Sequence, residues 1–407
     1  MSCVTDVRLG VVGLGVRSAL AEYAHRPGAG SRIVAACDSH QLRRESAVAR
    51  YGPDVRVLAD YRALLDAELD GVFVVTPDHT HEEIAVAFLE AGIATFVEKP
   101  LAITTAGCDR ILDAALRSGT RLYVGHNMRH MPVVRAMRDL IQRGAVGQVK
   151  AIWCRHFVGH GGDFYFKDWH ADRRNTTGLL VQKGVHDIDV IHWLAGATTR
   201  RVTALGGLSV YGDITDRAGR DGQVMTDWWK PEENWPPLAQ RGLHPVVDVE
   251  DLSMMLMQLD DGGFASYQQC HFTPDYWRNY TVIGTEGRLE NFGDEDAVVK
   301  VWQRRSDYRD DADLVVPVPA EDGTHAGTDP RIVNEFVRFI RDGAPTMTSP
   351  IAARDAVAAA CAATASLRAG GHPIDVPRPD PAVERYFASV QPTNQSSPTE
   401  KAHDAGR

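Results

Sequence analysis

No lysine- or arginine-rich run occurs in the 407 residues, and the formal net charge is -10. A nucleic acid or an anionic membrane would therefore find no basic footprint, and neither partner is expected. No apolar stretch reaches the ~18 residues that a membrane helix needs. Cysteine is scarce and scattered (Cys3, Cys37, Cys108, Cys154, Cys270 and Cys361), with no C-x-x-C pair and no Cys/His spacing of the zinc type. Reduced thiols in a cytoplasmic protein are expected, and no metal site. The opening MSCVTDVRLGVVG has neither a charged leader nor an apolar core before its first strand, so no signal peptide is expected.

What is present is an α/β pattern. Short apolar strands stand at RLGVV (8–12), RIVAAC (32–37), GVFVV (71–75), ATFV (94–97) and RLYVG (121–125). Between the third and fourth, EEIAVAFLEAG (82–92) sets Ile84, Ala87, Phe88 and Ala91 at helical spacing and stops at Gly92. Repeated β-α-β units with near-continuous apolar strands predict a doubly wound parallel sheet, here over residues 6–126. From 127 to 380 the pattern predicts an α+β domain with a mainly antiparallel sheet. It has a helix at 133–143 and strands near 149–157, 201–211, 252–259, 263–272 and 279–284. Helices at 331–342 and from Ser349-Pro350 to Gly370-Gly371 close it. The long segment 212–248, with Trp228, Trp229 and Trp235, reads as a functional loop, an oligomer contact or a cap on a sheet edge. Polar residues 391–407 are expected to form a disordered tail.

GVVGLGVRS (10–18) contains Gly13-x-Gly15-x-x-Ser18. Glycine is required where such a turn is tight and where backbone must approach a pyrophosphate. The helix that follows is expected to aim free N–H groups at the phosphates, making Gly13, Leu14, Gly15, Val16 and Arg17 the cradle. Asp38 closes the next strand, twenty residues after Ser18. A carboxylate there accepts both ribose hydroxyls of NAD and repels a 2′-phosphate. NAD is thus the expected cofactor, with NADP left as the alternative by Ser39, His40, Arg43 and Arg44 close by.

Two further strand ends, VVTPDHTH (74–81) and VEKPLAIT (97–104), join the glycine turn in a pattern that resembles the Gfo/Idh/MocA family of NAD(P)-dependent oxidoreductases. VGHNMRHMP (124–132), GAVGQV (144–149), DVEDLSMML (248–256), IGTEGRLE (283–290) and HAGTDP (325–330) extend the likeness over nearly all of the chain below residue 380. The resemblance implies a Rossmann domain followed by an open-faced α/β domain whose sheet often forms a homo-oligomer contact. It also implies a sugar or polyol substrate. Thr76, Pro77 and His81 would line the path from adenosine to nicotinamide, Glu98 and Lys99 its nicotinamide end, and Pro100 would often be cis. The physical reading of Lys99 agrees: a lysine at the carboxyl end of a parallel strand faces the crevice where ligands bind, and an ammonium there stabilises alkoxide character as hydride leaves.

The remaining chemistry gathers in LLVQKGVHDIDVIHWLA (179–195), an apolar helix with a polar seam. Gln182, His186, Asp189 and Trp193 fall on one stripe, and Lys183–Asp187 is a second i, i+4 pair. The resemblance gives His186 the acid/base role, which suits an imidazole. Where the family has an acid, this chain has Gln182, which exchanges no proton. Three outcomes stay open: His186 acts with Lys99 alone, Asp187 or Asp189 supplies a carboxylate, or Lys183 joins the chemistry. The preceding loop 156–178 is rich in aromatic and polar residues, and Trp169, Asp172 and Arg173 are expected to bind a carbohydrate together with Gln182, Lys183 and His186. His271, Tyr276 and Arg278 form a further patch, read as either site or interface. The expected activity is NAD-dependent oxidation or reduction of a secondary alcohol of a sugar, glycoside or cyclitol. A redox-neutral cleavage or epimerisation through transient oxidation is the alternative on the same site, and a non-catalytic sugar sensor is the alternative from another class.

Overall fold

The computed structural model describes residues 5–220, 222–321 and 324–391. Six parallel strands open the chain: β1 (Val7–Val12), β2 (Ser31–Cys37), β3 (Arg56–Leu58), β4 (Gly71–Val74), β5 (Ala94–Val97) and β6 (Leu122–Val124). Their order is β3-β2-β1-β4-β5-β6, so the winding reverses between β1 and β4 and leaves a crevice beyond the carboxyl ends of those strands. Leu9, Val11, Phe73, Val74 and Phe96 are fully buried, as strands covered on both faces require. The short β3 escaped the sequence reading because it has three residues, none of them fully buried.

The second sheet has nine strands: β7 (Val149–Phe157), β8 (Thr199–Gly207), β9 (Leu252–Leu259), β10 (Phe264–Cys270), β11 (Trp277–Gly284), β12 (Arg288–Phe292), β13 (Ala297–Trp302), β14 (Leu314–Val318) and β15 (Ile374–Asp375). The order is β14-β13-β12-β11-β7-β10-β9-β8-β15, and every pairing is antiparallel except β7 with β10. Side chains alternate as period two demands. Ile152, Cys154 and His156 of β7 turn to the core, while Trp153 and Arg155 point outward. Helices Val185–Ala195 and Pro350–Arg368 cover the inner face, the latter capped by Ser349 as expected. The outer face is open and apolar: Trp153, Leu205, Met254, Leu256 and Phe264 are all exposed there.

Three boundaries shift. The helix expected at 331–342 runs over Thr324–Asp342, and it packs Ile332, Phe336 and Phe339 into the core of the first sheet. The Phe336 ring lies 5.2 Å from that of Phe73 and 5.5 Å from that of Phe96. A helix at Pro381–Val390 continues the fold past residue 380, burying Val383 and Phe387. The expected tail lies outside the described residues except for Gln391, which is buried and donates to Thr346 Oγ1. Five cysteines of the described residues are free thiols, and no described helix is long and apolar enough to cross a membrane.

Candidate active site

The glycine turn leaves β1 with Gly13 at φ +93°, where an added Cβ would stand 2.8 Å from the Val75 carbonyl oxygen. Only glycine is at ease in that conformation. At Gly15 an added Cβ would meet nothing within 4 Å, so the backbone there faces open space, the fit a dinucleotide pyrophosphate requires. The expected helix is brief: a 3₁₀ turn at Val16–Ser18 runs into Ala19–Glu22. Ser18 is fully buried and its hydroxyl donates to the Gly15 carbonyl at 2.6 Å, which tightens the turn. Asp38 is fixed by two backbone donors, Leu14 N–H to Oδ2 and His40 N–H to Oδ1, both at 2.8 Å. Next to it, Arg43 donates to the carbonyl of Gln223 at 2.9 Å, so the long 212–248 loop reaches the nucleotide domain.

At the end of β5, neighbouring residues diverge. Glu98 accepts from Arg17 Nε at 2.6 Å, and Arg17 also pairs with Asp329 at 2.9 Å. Arg17 thereby ties the glycine turn to the end of β5. Lys99 turns the other way and donates from Nζ to the Gln182 carbonyl at 3.0 Å. Burial pushes the Lys99 pKa down, against the pull of Asp78 and Glu98. Asp78 is buried, with Oδ2 unpartnered, and burial raises its pKa well above the usual carboxylate range. The Lys99–Pro100 peptide bond is cis. His81 is fully buried between the Pro100 carbonyl (2.8 Å to Nδ1) and the Thr76 carbonyl (2.9 Å to Nε2), so it joins the loops after β4 and β5.

The polar-seamed helix is not uniform. Leu180–Gly184 is a π-helical turn that runs into α-helix Val185–Ala195. Such a turn shifts the side-chain phase and is frequent at functional sites. It delivers the Gln182 carbonyl to Lys99, leaving Gln182 Oε1 buried without a partner. His186 is nearly buried and its Nδ1 is likewise unpartnered. Burial first, then the charges of Lys99 and Lys183, holds its pKa well below the ordinary imidazole value, so the ring is neutral.

Neither aspartate serves His186 directly. Asp189 takes both guanidinium bonds of Arg129 at 2.7 Å and lies 3.2 Å from His126 Nδ1. The His126 ring in turn stands 6.4 Å from that of His186. Asp187 faces the sheet, where it meets Arg278 (2.9 Å), His156 Nδ1 (3.1 Å) and the hydroxyls of Tyr267 (3.0 Å) and Tyr280. The expected Lys183–Asp187 pair therefore does not form. The π turn changes the i, i+4 phase, and the sheet already supplies Asp187 with donors. Lys183 is half-buried and makes no hydrogen bond or ion pair among the described residues; its ammonium lies 5.9 Å from the centre of the Tyr165 ring. Burial and the cations Arg278 and Lys99 bring its pKa down to about 7.

Of the residues expected to bind carbohydrate, Gln182, Lys183 and His186 share one helix with Lys99 against it. Trp169 stacks on His170 with ring centres 3.8 Å apart. Asp172 and Arg173 are otherwise occupied: Asp172 caps the Arg173–Thr176 turn and binds the Arg174 side chain, and Arg173 pairs with Asp248 at 3.0 Å. His271 is fully buried, and Arg278 and Tyr276 converge on Asp294, placing that patch beneath the site. Sequence reasoning passed over Asp78, His126 and Arg129. All three lie inside quoted motifs, and their titratable or basic side chains at strand and loop ends were the available signal.

A model of the oxidoreductase family, NAD-binding Rossmann fold, matches residues 7–126, and one of the oxidoreductase family, C-terminal alpha/beta domain, matches residues 138–376. The chain is 36% identical over 200 residues to inositol 2-dehydrogenase 1 of Saccharopolyspora erythraea, a stretch covering 48% of this chain and 57% of that protein. It is 31% identical over 194 residues to the inositol 2-dehydrogenase of Burkholderia multivorans, covering 47% of this chain and 55% of that one. The match thus spans little more than half the length of these relatives. Among solved structures, levoglucosan dehydrogenase in complex with NADH and L-sorbose superposes with a TM-score of 0.75 at 20% identity, over 92% of this chain and 99% of the other. Apo scyllo-inositol dehydrogenase from Lactobacillus casei gives 0.66 at 18% identity, over 92% and 99%. At such identities the likeness is one of fold.

Proposed function

The chain belongs to the Gfo/Idh/MocA oxidoreductase family, and from that premise we propose that it oxidises or reduces a secondary alcohol of a cyclitol, sugar or glycoside, using NAD(H). One observation carries the reading: Lys99, just past the end of β5, donates to the Gln182 carbonyl in the π turn that bears Gln182 and Lys183 and runs into the helix of His186. Gly13 to Arg17 would hold the pyrophosphate and Asp38 the adenosine ribose. NAD⁺ held there would supply the acceptor for the hydride of the carbinol carbon. Lys99 binds the substrate oxygen and stabilises its developing negative charge. His186, neutral and with a free ring nitrogen, receives the hydroxyl proton. Gln182 cannot move a proton, so it orients a neighbouring hydroxyl. Inositol and levoglucosan dehydrogenases among the similar proteins favour a polyhydroxylated ring as substrate, and Trp169 and Tyr165 offer aromatic faces for it.

Asp38, held by two backbone bonds beside the ribose position, favours NAD over NADP. The apolar outer face of the second sheet, with Leu256 63% and Phe264 58% exposed, supports a homo-oligomer joined through that face. The test is a panel of inositols, anhydrosugars, sugars and glycosides with NAD and with NADP, following absorbance at the NADH band together with product identity. NADH formed in step with a ketone product is the expected outcome. No turnover of any member, by a protein that still binds NADH, would refute the reading. A second reading draws on the 212–248 loop, which reaches Arg43 and His40 beside the adenosine position. A cofactor clasped there is retained between turnovers, as a redox-neutral cleavage or epimerisation needs; product without net NADH would establish it.

A further inference from the structure

We propose that Lys183 stores the proton released when the alcohol is oxidised, receiving it from the substrate hydroxyl by way of His186. The inference rests on the oxidoreductase reading of this cleft and adds a residue to its chemistry.

The need for such a residue follows from what the other candidates cannot do. Gln182, which stands at the acid position, has no exchangeable proton of the required kind. Asp189 is saturated by Arg129 and His126. Asp187 is saturated by Arg278, His156, Tyr267 and Tyr280 on the sheet side. His186 can receive a proton but is a poor place to leave one, because burial first, and then the cations Lys99 and Arg278, oppose a charge on its ring. Lys183 is what remains. It stands three residues before His186, in the π turn that runs into the helix of His186, and its charge is felt at that ring. It is half-buried and, among the described residues, has no anion and no hydrogen-bond acceptor. The cations nearby are engaged otherwise: Lys99 on the Gln182 carbonyl, Arg278 on Asp187 and Asp294.

An amine is a proton acceptor only when neutral at working pH, and its surroundings decide that. Burial disfavours an ammonium at Lys183, and Arg278 of β11 and Lys99 just after β5 repel it further. His156 of β7 and His271 after β10 also lie within electrostatic reach, and each is held neutral by burial. Asp187 and Asp294 pull the other way without touching it. The Tyr165 ring offers only its π face, which binds a cation weakly. The balance falls at about 7, the range in which a lysine serves as a general base.

The step balances. The carbinol C–H bond breaks, and its hydride, with both electrons, passes to the nicotinamide. The O–H proton passes to His186, and a proton passes from His186 to the neutral amine. A ketone, NADH and an ammonium result, and the ammonium yields its proton to water at the cleft mouth.

Two readouts test this, one independent of turnover. Reductive methylation with ¹³C-formaldehyde gives an NMR signal for Lys183, assigned by its absence in Lys183→Arg. It should titrate near neutrality while ordinary lysines titrate near ~10. Kinetically, the kcat/KM of polyol oxidation should rise with pH through an acid limb near neutrality. In Lys183→Met that limb should vanish and kcat should fall ~10²–10⁴-fold, with NADH binding kept. Added ethylamine should restore part of the loss in Lys183→Ala. A Lys183 signal titrating with the surface lysines, or a Lys183→Met enzyme that keeps both kcat and the acid limb, would overturn the inference. If Lys99→Met is inactive and Lys183→Met is not, only this inference falls; if the wild-type enzyme turns over no polyol, the oxidoreductase reading falls and takes it along.

Discussion

Replacing Asp187 by asparagine tests the electrostatic floor of the site. The carboxylate is fully buried, and every partner that reaches it is a donor: Arg278, His156, Tyr267 and Tyr280, with the Cys154 thiol at 3.8 Å. Asparagine keeps the shape but offers one acceptor oxygen and turns two N–H groups toward donors. It also leaves Arg278 buried with only Asp294 to balance it. Breaking a buried pair by removing one partner costs about 3–5 kcal/mol. For a domain of this size each kcal/mol moves the midpoint by roughly 2–4 °C, so Tm should fall by about 6–20 °C. Calorimetry with tryptophan fluorescence would measure it.

The pH dependence of that difference is equally specific. Burial acts to raise the Asp187 pKa, but Arg278 and His156 outweigh it and hold the group below the usual carboxylate range. Its folded pKa is depressed, so its contribution is complete above the unfolded value of ~3.9 and is lost only as pH falls through the folded value. The part of the gap that comes from the Asp187 carboxylate itself should therefore be constant from neutral pH down to about 5 and shrink only in stronger acid, and any change nearer neutrality reports the shifted titration of Lys183. A variant within ~1 kcal/mol of wild type at pH 7, against the 3–5 of an orphaned buried charge, would refute the reasoning. The same substitution removes an anion that favours charge on Lys183, so the acid limb of the rate profile should move to lower pH.

Lys99→Met should lower kcat by ~10²–10³-fold with NADH affinity retained, as the proposed role of the group on charge developing at the substrate oxygen requires; stopped-flow hydride transfer and NADH fluorescence separate the two effects. Asp38→Ala should raise the KM for NAD and bring the kcat/KM for NADP toward that for NAD, since the ribose acceptor is lost along with the repulsion of a 2′-phosphate; an unchanged cofactor ratio would count against the assigned ribose site. Arg129→Met should destabilise the protein by about 3–5 kcal/mol by stranding buried Asp189, and the double variant Arg129→Met/Asp189→Leu should recover much of that loss in urea unfolding.

Local rules carried the reading of the sequence where one residue type has one use. Gly13 announces its turn because only glycine tolerates φ +93° against the Val75 carbonyl. Strands buried on both faces announce themselves by unbroken apolar runs, and the strand expected near 149–157 is β7, Val149–Phe157. What failed was anything decided by partners far along the chain. The stripe Ile332, Phe336 and Phe339 was visible, but only the packed structure shows it lying on the first sheet and not the second. The π turn at Leu180–Gly184 has no distinct composition, so the i, i+4 rule paired Lys183 with Asp187 while the fold sent them to different neighbours. That misassignment bears on function. A lysine paired with an aspartate is a fixed cation, whereas a lysine facing Tyr165 with Lys99 and Arg278 behind it can exchange a proton near neutrality. The unusual Gln182-Lys183 dipeptide then reads as one device: the lost acid removes a carboxylate that would hold the next ammonium charged, and the amine released from it becomes free to take the acid's place as proton carrier.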